Sequence, residues 1–227
     1  MKRDREAIED ESTEKGPSLA ELIESRRFLG REFLVWLWFE SELFESQFAI
    51  EGFGEATLWL ERSLTLESAL TESTREKEKS KLTGVAPSGR PEAREALRQG
   101  KLPTQARVVL ERGEDHFAFV FDAEALALSG VKIPAVVKGE GEGPFYDRIQ
   151  RIEELERAIE ALYRDFLLLR LDHAWDDLVL PAIASWANER EDQALARYRA
   201  QRPRDGSTPG ETGRTSQTLA RKKKPAA

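Results

Sequence analysis

Apolar positions recur every three or four residues at Leu19, Leu22, Ile23, Leu29, Phe33, Trp36, Leu37 and Phe44, which predicts a long first helix. Ser18 and Glu21 ahead of it have the spacing of a capping box, in which each side chain satisfies a backbone donor at the helix start. Leu34, Trp38 and Phe39 widen the apolar face until the middle is apolar nearly all round. Such a helix is central to a core or covered by a partner chain. Gly52-Phe53-Gly54 breaks the pattern. Ala56, Leu58 and Leu60 then alternate with Thr57, Trp59 and Glu61, the spacing of a strand, and a second short strand is expected at 64–66. Another is expected at 76–83, followed by a loop over 84–89 and a short helix opened by Pro91 and ending at Gly100.

Residues 106–112 and 116–122 flank Gly113-Glu114-Asp115, a hairpin signal, with Phe117, Phe119 and Phe121 on one face. A third strand at 126–133 closes at Pro134. Beyond the glycine- and glutamate-rich stretch 139–143, Pro144 opens a long helix with the stripe Ile149, Ile152, Leu155, Ile159, Leu162, Phe166 and Leu169. Pro181 is expected to end or kink the next segment, with Ile183 and Trp186 anchoring a last short helix. The predicted fold class is α+β: an antiparallel sheet packed with helices, a C-terminal helical hairpin and disordered charged termini. The expected organisation is a charged tail at 1–16, an α+β domain at 17–138, a linker at 139–143, the hairpin at 144–190 and a basic tail at 191–227.

Composition narrows the chemistry. The 227 residues include no Cys, which rules out disulfide scaffolds, thiol catalysis and cysteine-ligated clusters and makes the cytosol the simplest home. The first sixteen residues have no apolar core, so no signal peptide is expected, and the longest apolar run, 33–39, is far short of the roughly 20 residues of a membrane span. The net charge of −7 argues against coating nucleic acid by bulk charge. Yet it is an average: residues 197–227 hold nine cations and two acids, +7, leaving −14 on the rest.

The search for catalytic groups finds little. His116 reads as an ordinary edge-strand residue. His173 with Asp176 and Asp177 has helical metal-ligand spacing, although a solvated helix-end cluster is the plainer account. The glycines of 139–143 alternate with Glu140 and Glu142, which would repel phosphate, and no nucleophile elbow or histidine-centred triad is present. No enzymatic activity, cofactor or metal is expected.

The cations are more informative. Arg75, Lys77, Lys79 and Lys81 recur every second residue, so a strand would project all four from one face, about 6.6 Å apart. Such a stripe can follow a phosphate backbone by releasing its counterions; alternatively it is a solvated edge strand kept from aggregating by its lysines. Arg90, Arg94 and Arg98 stand at i, i+4 and i+8 of the short helix, with Lys101 after it. Arg26, Arg27 and Arg31 form a third cluster, diluted by Glu24 and Glu32.

The stretch Arg27-Phe28-Leu29-Gly30-Arg31-Glu32-Phe33-Leu34-Val35-Trp36-Leu37-Trp38 resembles one found in short RdgC-like proteins. The strand at 79–84, the helix ending Arg98-Gln99-Gly100-Lys101, then Ala106-Arg107-Val108-Val109-Leu110 and Phe117-Ala118-Phe119-Val120-Phe121-Asp122 follow in the order of the C-terminal half of RdgC. The likeness spans roughly residues 18–188. It implies a non-enzymatic, nucleoid-associated protein of DNA recombination that binds duplex DNA with little sequence preference, as a ring-shaped dimer. The longer members have an N-terminal half that this chain is expected to lack or to keep only as a charged tail. Among the resembling positions, Lys101 is the cation carried over as DNA-facing. The sequence thus leads to a DNA-binding reading, with Arg75, Lys77, Lys79, Lys81, Arg90, Arg94, Arg98 and Lys101 as contacts and a homo-oligomer as the form. The alternative is a protein-interaction or oligomerisation module whose helices at 18–45 and 145–171 dock a partner.

Overall fold

A computed structural model describes residues 19–68, 79–135 and 142–201, with side chains of the first helix from Phe28 onward. The expected tail at 1–16, the cap at Ser18, most of the linker at 139–143 and residues 202–227 lie outside the described residues. The fold is α+β, as the alternation of periodicities predicts.

Six strands form one antiparallel sheet: β1 (Gln47–Ile50), β2 (Gly54–Ser68), β3 (Lys79–Gly84), β4 (Lys101–Arg112), β5 (Asp115–Asp122) and β6 (Ala127–Lys132). The long β2 is its spine. One edge of β2 carries β4; the other carries β1 against residues 54–57 and β3 against 62–67. The two strands expected at 56–61 and 64–66 are therefore one. Leu60 pairs with Val108 and Leu64 with Ala106, so β2 spends two extra residues at this point, where Arg62 adopts a φ of 63°. An even insertion preserves the alternation of faces. Leu58, Leu60, Leu64 and Leu66 consequently all point inward and are buried.

Helix α1 (Leu19–Leu43) crosses the inner face of the sheet. Phe33 to Phe39 are all buried, so its apolar girdle is covered on every side. Phe121 of β5 meets Phe33 at 5.4 Å between ring centroids. Helix α3 (Gly143–Leu171) covers a second side through Phe166 against Phe33 and Trp36. Helix α4 (Leu180–Ala187) covers a third, Trp186 packing on Trp38 and Phe39. The expected hairpin thus shares one core with the sheet rather than standing as a separate unit. Between α3 and α4, residues Trp175–Val179 form a π-helical turn, closed by the Leu180 N–H donating to the Trp175 carbonyl. Pro181 lacks an N–H and crowds the carbonyl four residues back, and the wider turn absorbs both defects.

Residues 193–201, expected within the unstructured basic tail, instead form helix α5 (Gln193–Gln201). Leu195 and Tyr198 are buried, and the Tyr198 hydroxyl donates to the buried Glu40 carboxylate of α1. Burial pushes the Tyr198 phenol well above its ordinary pKa. No helix among the described residues is long and apolar enough to cross a membrane.

Gly30, Arg31 and Glu32 of α1 have structural roles. A Cβ on Gly30 would collide with the Ala123 carbonyl oxygen, so only glycine lets α1 pass over the β5–β6 turn. Arg31, buried, pairs with Glu124 of that turn, and Glu32 accepts from Arg170 of α3 at 2.9 Å. Burial raises the Glu32 pKa, with Arg170 opposing it. At the opposite end of the sheet, Arg112 and Arg151 each reach Asp115 at 2.9 Å, fastening the β4–β5 turn to α3. The Arg112 guanidinium also stacks 4.3 Å from the Phe53 ring centroid.

Two outcomes follow. Gly30→Ala should lower the unfolding free energy by about 1–3 kcal/mol or prevent folding, read from a urea melt, because backbone rather than a movable side chain stands in the way. The hydrogen bond from Arg112, with Arg151 beside it, holds Asp115 below the usual aspartate range. Its contribution is complete above the unfolded pKa of about 4 and lost as pH falls through the lower folded value. Asp115→Asn should therefore destabilise at pH 7 and flatten the loss of stability below about pH 4, measured by urea melts at several pH values.

Candidate nucleic-acid interface

Of the eight predicted contacts, Arg75 and Lys77 lie outside the described residues, as do the side chains of Arg26 and Arg27. The other six occupy the continuous run β3, a short turn, helix α2 (Pro91–Arg98) and the start of β4, at one end of the sheet.

β3 has the conformation that the alternating cations predict. Lys79 and Lys81 are exposed on the outer face, away from α1, opposite Glu67 and Thr65 of β2, while Leu82 turns inward opposite Leu64. Lys79 pairs with Glu67 at 2.8 Å, and this hydrogen bond raises the lysine pKa. β3 has β2 on one side only, so it forms a sheet edge. Lys101 opens β4 opposite Ser68 and reaches over the sheet end to the Ser80 hydroxyl at 3.2 Å. Lys79 and Lys81 thus share the outer face, while Lys101, bonded to Ser80, stands at the same end of the sheet on the opposite face.

The helical row does not gather with them. Arg90 caps α2 and lies against Gly84, where an added Cβ would meet its guanidinium at 2.8 Å; Gly84 itself has a φ of 115°. Arg98 stands at the outer end of α2 and pairs with the exposed Glu95 at 3.1 Å. Arg94 turns inward, because Ala93 and Ala96 bring α2 against the other helices. Its guanidinium donates to Glu42 of α1 at 2.5 Å and to the Trp186 carbonyl of α4 at 2.9 Å, and lies 5.0 Å from the Trp186 ring centroid. Glu42 also accepts from the indoles of Trp38, at 2.6 Å, and Trp186, at 3.1 Å. Arg94 is therefore a structural tie and leaves the set of phosphate contacts. Arg31, from the third cluster, is likewise buried.

The outer face contains residues that the sequence reading passed over. Arg107 and Lys132 alternate with inward-facing neighbours on β4 and β6 and so share the face of Lys79 and Lys81. Trp59, which the alternation places with Thr57 and Glu61, is half-buried on that face beside Val109. Acids are interspersed there: Glu61, Glu67, Glu111 and Asp122. The signal was available in the parity of each strand, which the two-residue insertion in β2 leaves unchanged.

Elsewhere, His116 pairs across the hairpin with Glu111 at 2.7 Å. His173 lies in the turn after α3, where its carbonyl accepts the Asp177 N–H, and no group of three or more metal-ligating side chains is assembled among the described residues. Trp36, Trp38, Trp175 and Trp186 are buried. No protein-family model, curated protein or solved structure matches this chain.

Arg94→Ala should lower stability by about 2 kcal/mol, since it withdraws a charged donor from a largely buried carboxylate. Arg98→Ala, which breaks only a surface pair, should cost less than about 0.5 kcal/mol. Paired urea melts check the contrast.

Proposed function

We propose that this chain is a non-enzymatic, sequence-independent DNA-binding protein of the RdgC type, associated with the nucleoid and acting in recombination or chromosome maintenance. The observation that supports the reading is the pair Lys79 and Lys81, exposed side by side on the outer face of an edge strand, with Lys101 at the same end of the sheet. Arg98 borders it. Flexible ammonium groups at strand spacing suit phosphate oxygens without reading base edges. The resemblance to RdgC, with its Gly100-Lys101 position at this end of the sheet, supports the same conclusion.

The neighbouring acids set the expected strength. Glu67 and Glu95 each hold one of these cations in the free protein, and phosphate must compete with them. Four cations allow a slope of log affinity against log salt of about −3 to −4 on duplex DNA, against about −7 for all eight predicted contacts.

Fluorescence anisotropy of labelled duplex and single-stranded DNA between 50 and 200 mM salt tests this. Binding that weakens with that slope is expected. Lys81→Glu with Lys101→Glu should reduce affinity for unrelated sequences alike, whereas Arg107→Ala should have a smaller effect. No binding at 50 mM salt, or binding unchanged in the double variant, overturns the proposal.

A further inference from the structure

Among the described residues, no large apolar side chain is as exposed as Val85, at 88%. It stands at the tip of the turn between β3 and α2, and the turn is built to hold it there. Gly84 before it has a φ of 115°, and Ala86 after it has a φ of 43° with a ψ of 60°, the left-handed region. A residue with a Cβ takes that conformation only where its surroundings hold it. Ala86 is held from behind. Pro87 and Ser88 are buried in a single 3₁₀ turn, Pro87–Gly89, and the Gly89 N–H donates to the Ala86 carbonyl at 3.1 Å. Val85 itself is β-branched, so its side chain has few rotamers. The tip is thus a stiff apolar point.

Cations surround its base. Arg62 is exposed and stands opposite Gly84 across the β2–β3 ladder, and the Arg90 guanidinium lies over Gly84. Arg62 meets the adjacent Glu61 at 3.4 Å, a surface pair that phosphate can displace. Lys81 and Lys79 lie four and six residues back along the same strand, about 13 and 20 Å away at roughly 3.3 Å per residue. Lys79, Lys81 and Val85 therefore span a length of about six base pairs at roughly 3.4 Å each.

We propose that Val85 is a wedge: its side chain enters the minor groove of duplex DNA and parts one base step, while Arg62 and Arg90 meet the phosphates beside it and Lys81 and Lys79 follow the backbone onward. This inference rests on the DNA reading above and adds to it a contact with the bases. The shape selects the groove. The minor groove is about 6 Å wide and excludes a helix of about 10–12 Å, but it admits a turn that narrows to one side chain. Minor-groove proteins insert branched aliphatic side chains between base steps in this way, with cations reaching into the same groove. Valine has no hydrogen-bonding group, so the insertion separates bases without reading their edges. That agrees with binding that tolerates sequence.

2-Aminopurine fluoresces when its stacking is broken, so duplexes carrying it at several steps report the wedge directly. The full chain at about 50 mM salt should bind such duplexes and raise their fluorescence. Val85→Ser should abolish the rise and weaken binding about threefold to tenfold, the effect of losing one partly buried valine. It should leave the salt slope unchanged, since it removes no cation. Val85→Leu should keep the rise. The site is exposed, and circular dichroism checks that each variant folds. Binding without a rise, a rise that Val85→Ser retains, or a salt slope that falls in that variant overturns the wedge and leaves the DNA reading standing. No binding of any duplex overturns both.

Discussion

Seven consecutive residues of α1, Phe33 to Phe39, are withdrawn from water. A helix buried along one stripe needs a single partner layer; one buried all round needs covers from several directions. The sheet supplies one, α3 a second, and α4 with α5 a third. Those covers come from positions more than a hundred residues apart in sequence. The packing is aromatic where it can be, with Phe33 alone touching Trp36, Phe121, Tyr163 and Phe166. Edge-on contacts of this kind add to the area that each ring buries.

Enclosing a helix leaves its polar residues to be satisfied from the covering elements. Glu42 accepts from two indoles and a guanidinium, and these three donors belong to α1, α4 and α2. One carboxylate thus registers three helices against one another. Glu40, two residues earlier and fully buried, is met by Tyr198 of α5. Arg31 and Glu32 do the same toward the β5–β6 turn and α3. The charged positions that flank and interrupt the apolar girdle are its docking points, which gives Arg31, Glu32, Glu40 and Glu42 a physical role in holding the fold.

Much of this was legible in local pattern. Alternation identified the strands around Leu58, Val108 and Phe119, and three-to-four spacing identified α1 and α3, because both signals lie within a few residues. What escaped depends on distant partners. Leu195 and Tyr198 are a sparse pair in a basic segment, and distant partners such as Phe39, Glu40 and Phe44 turn Tyr198 into a helix anchor. Glu61-Arg62-Ser63 does not announce an insertion that leaves strand parity unchanged. Lys79 and Lys81 were read correctly as one face of a strand, since strand geometry alone decides it. Arg94 was misplaced: spacing on α2 puts it in line with Arg90 and Arg98, but Glu42 and Trp186 decide where it points.

The pairing of Tyr198 with Glu40 also bears on where the folded unit stops. A fragment ending at residue 190, the boundary that composition suggests, would retain Glu40 inside an apolar shell and discard the hydroxyl that meets it, together with the Leu195 plug. The fragment would lose that hydrogen bond and uncover the side of α1 that Leu195 and Tyr198 close. The core of this chain therefore extends past that boundary, at least to Tyr198.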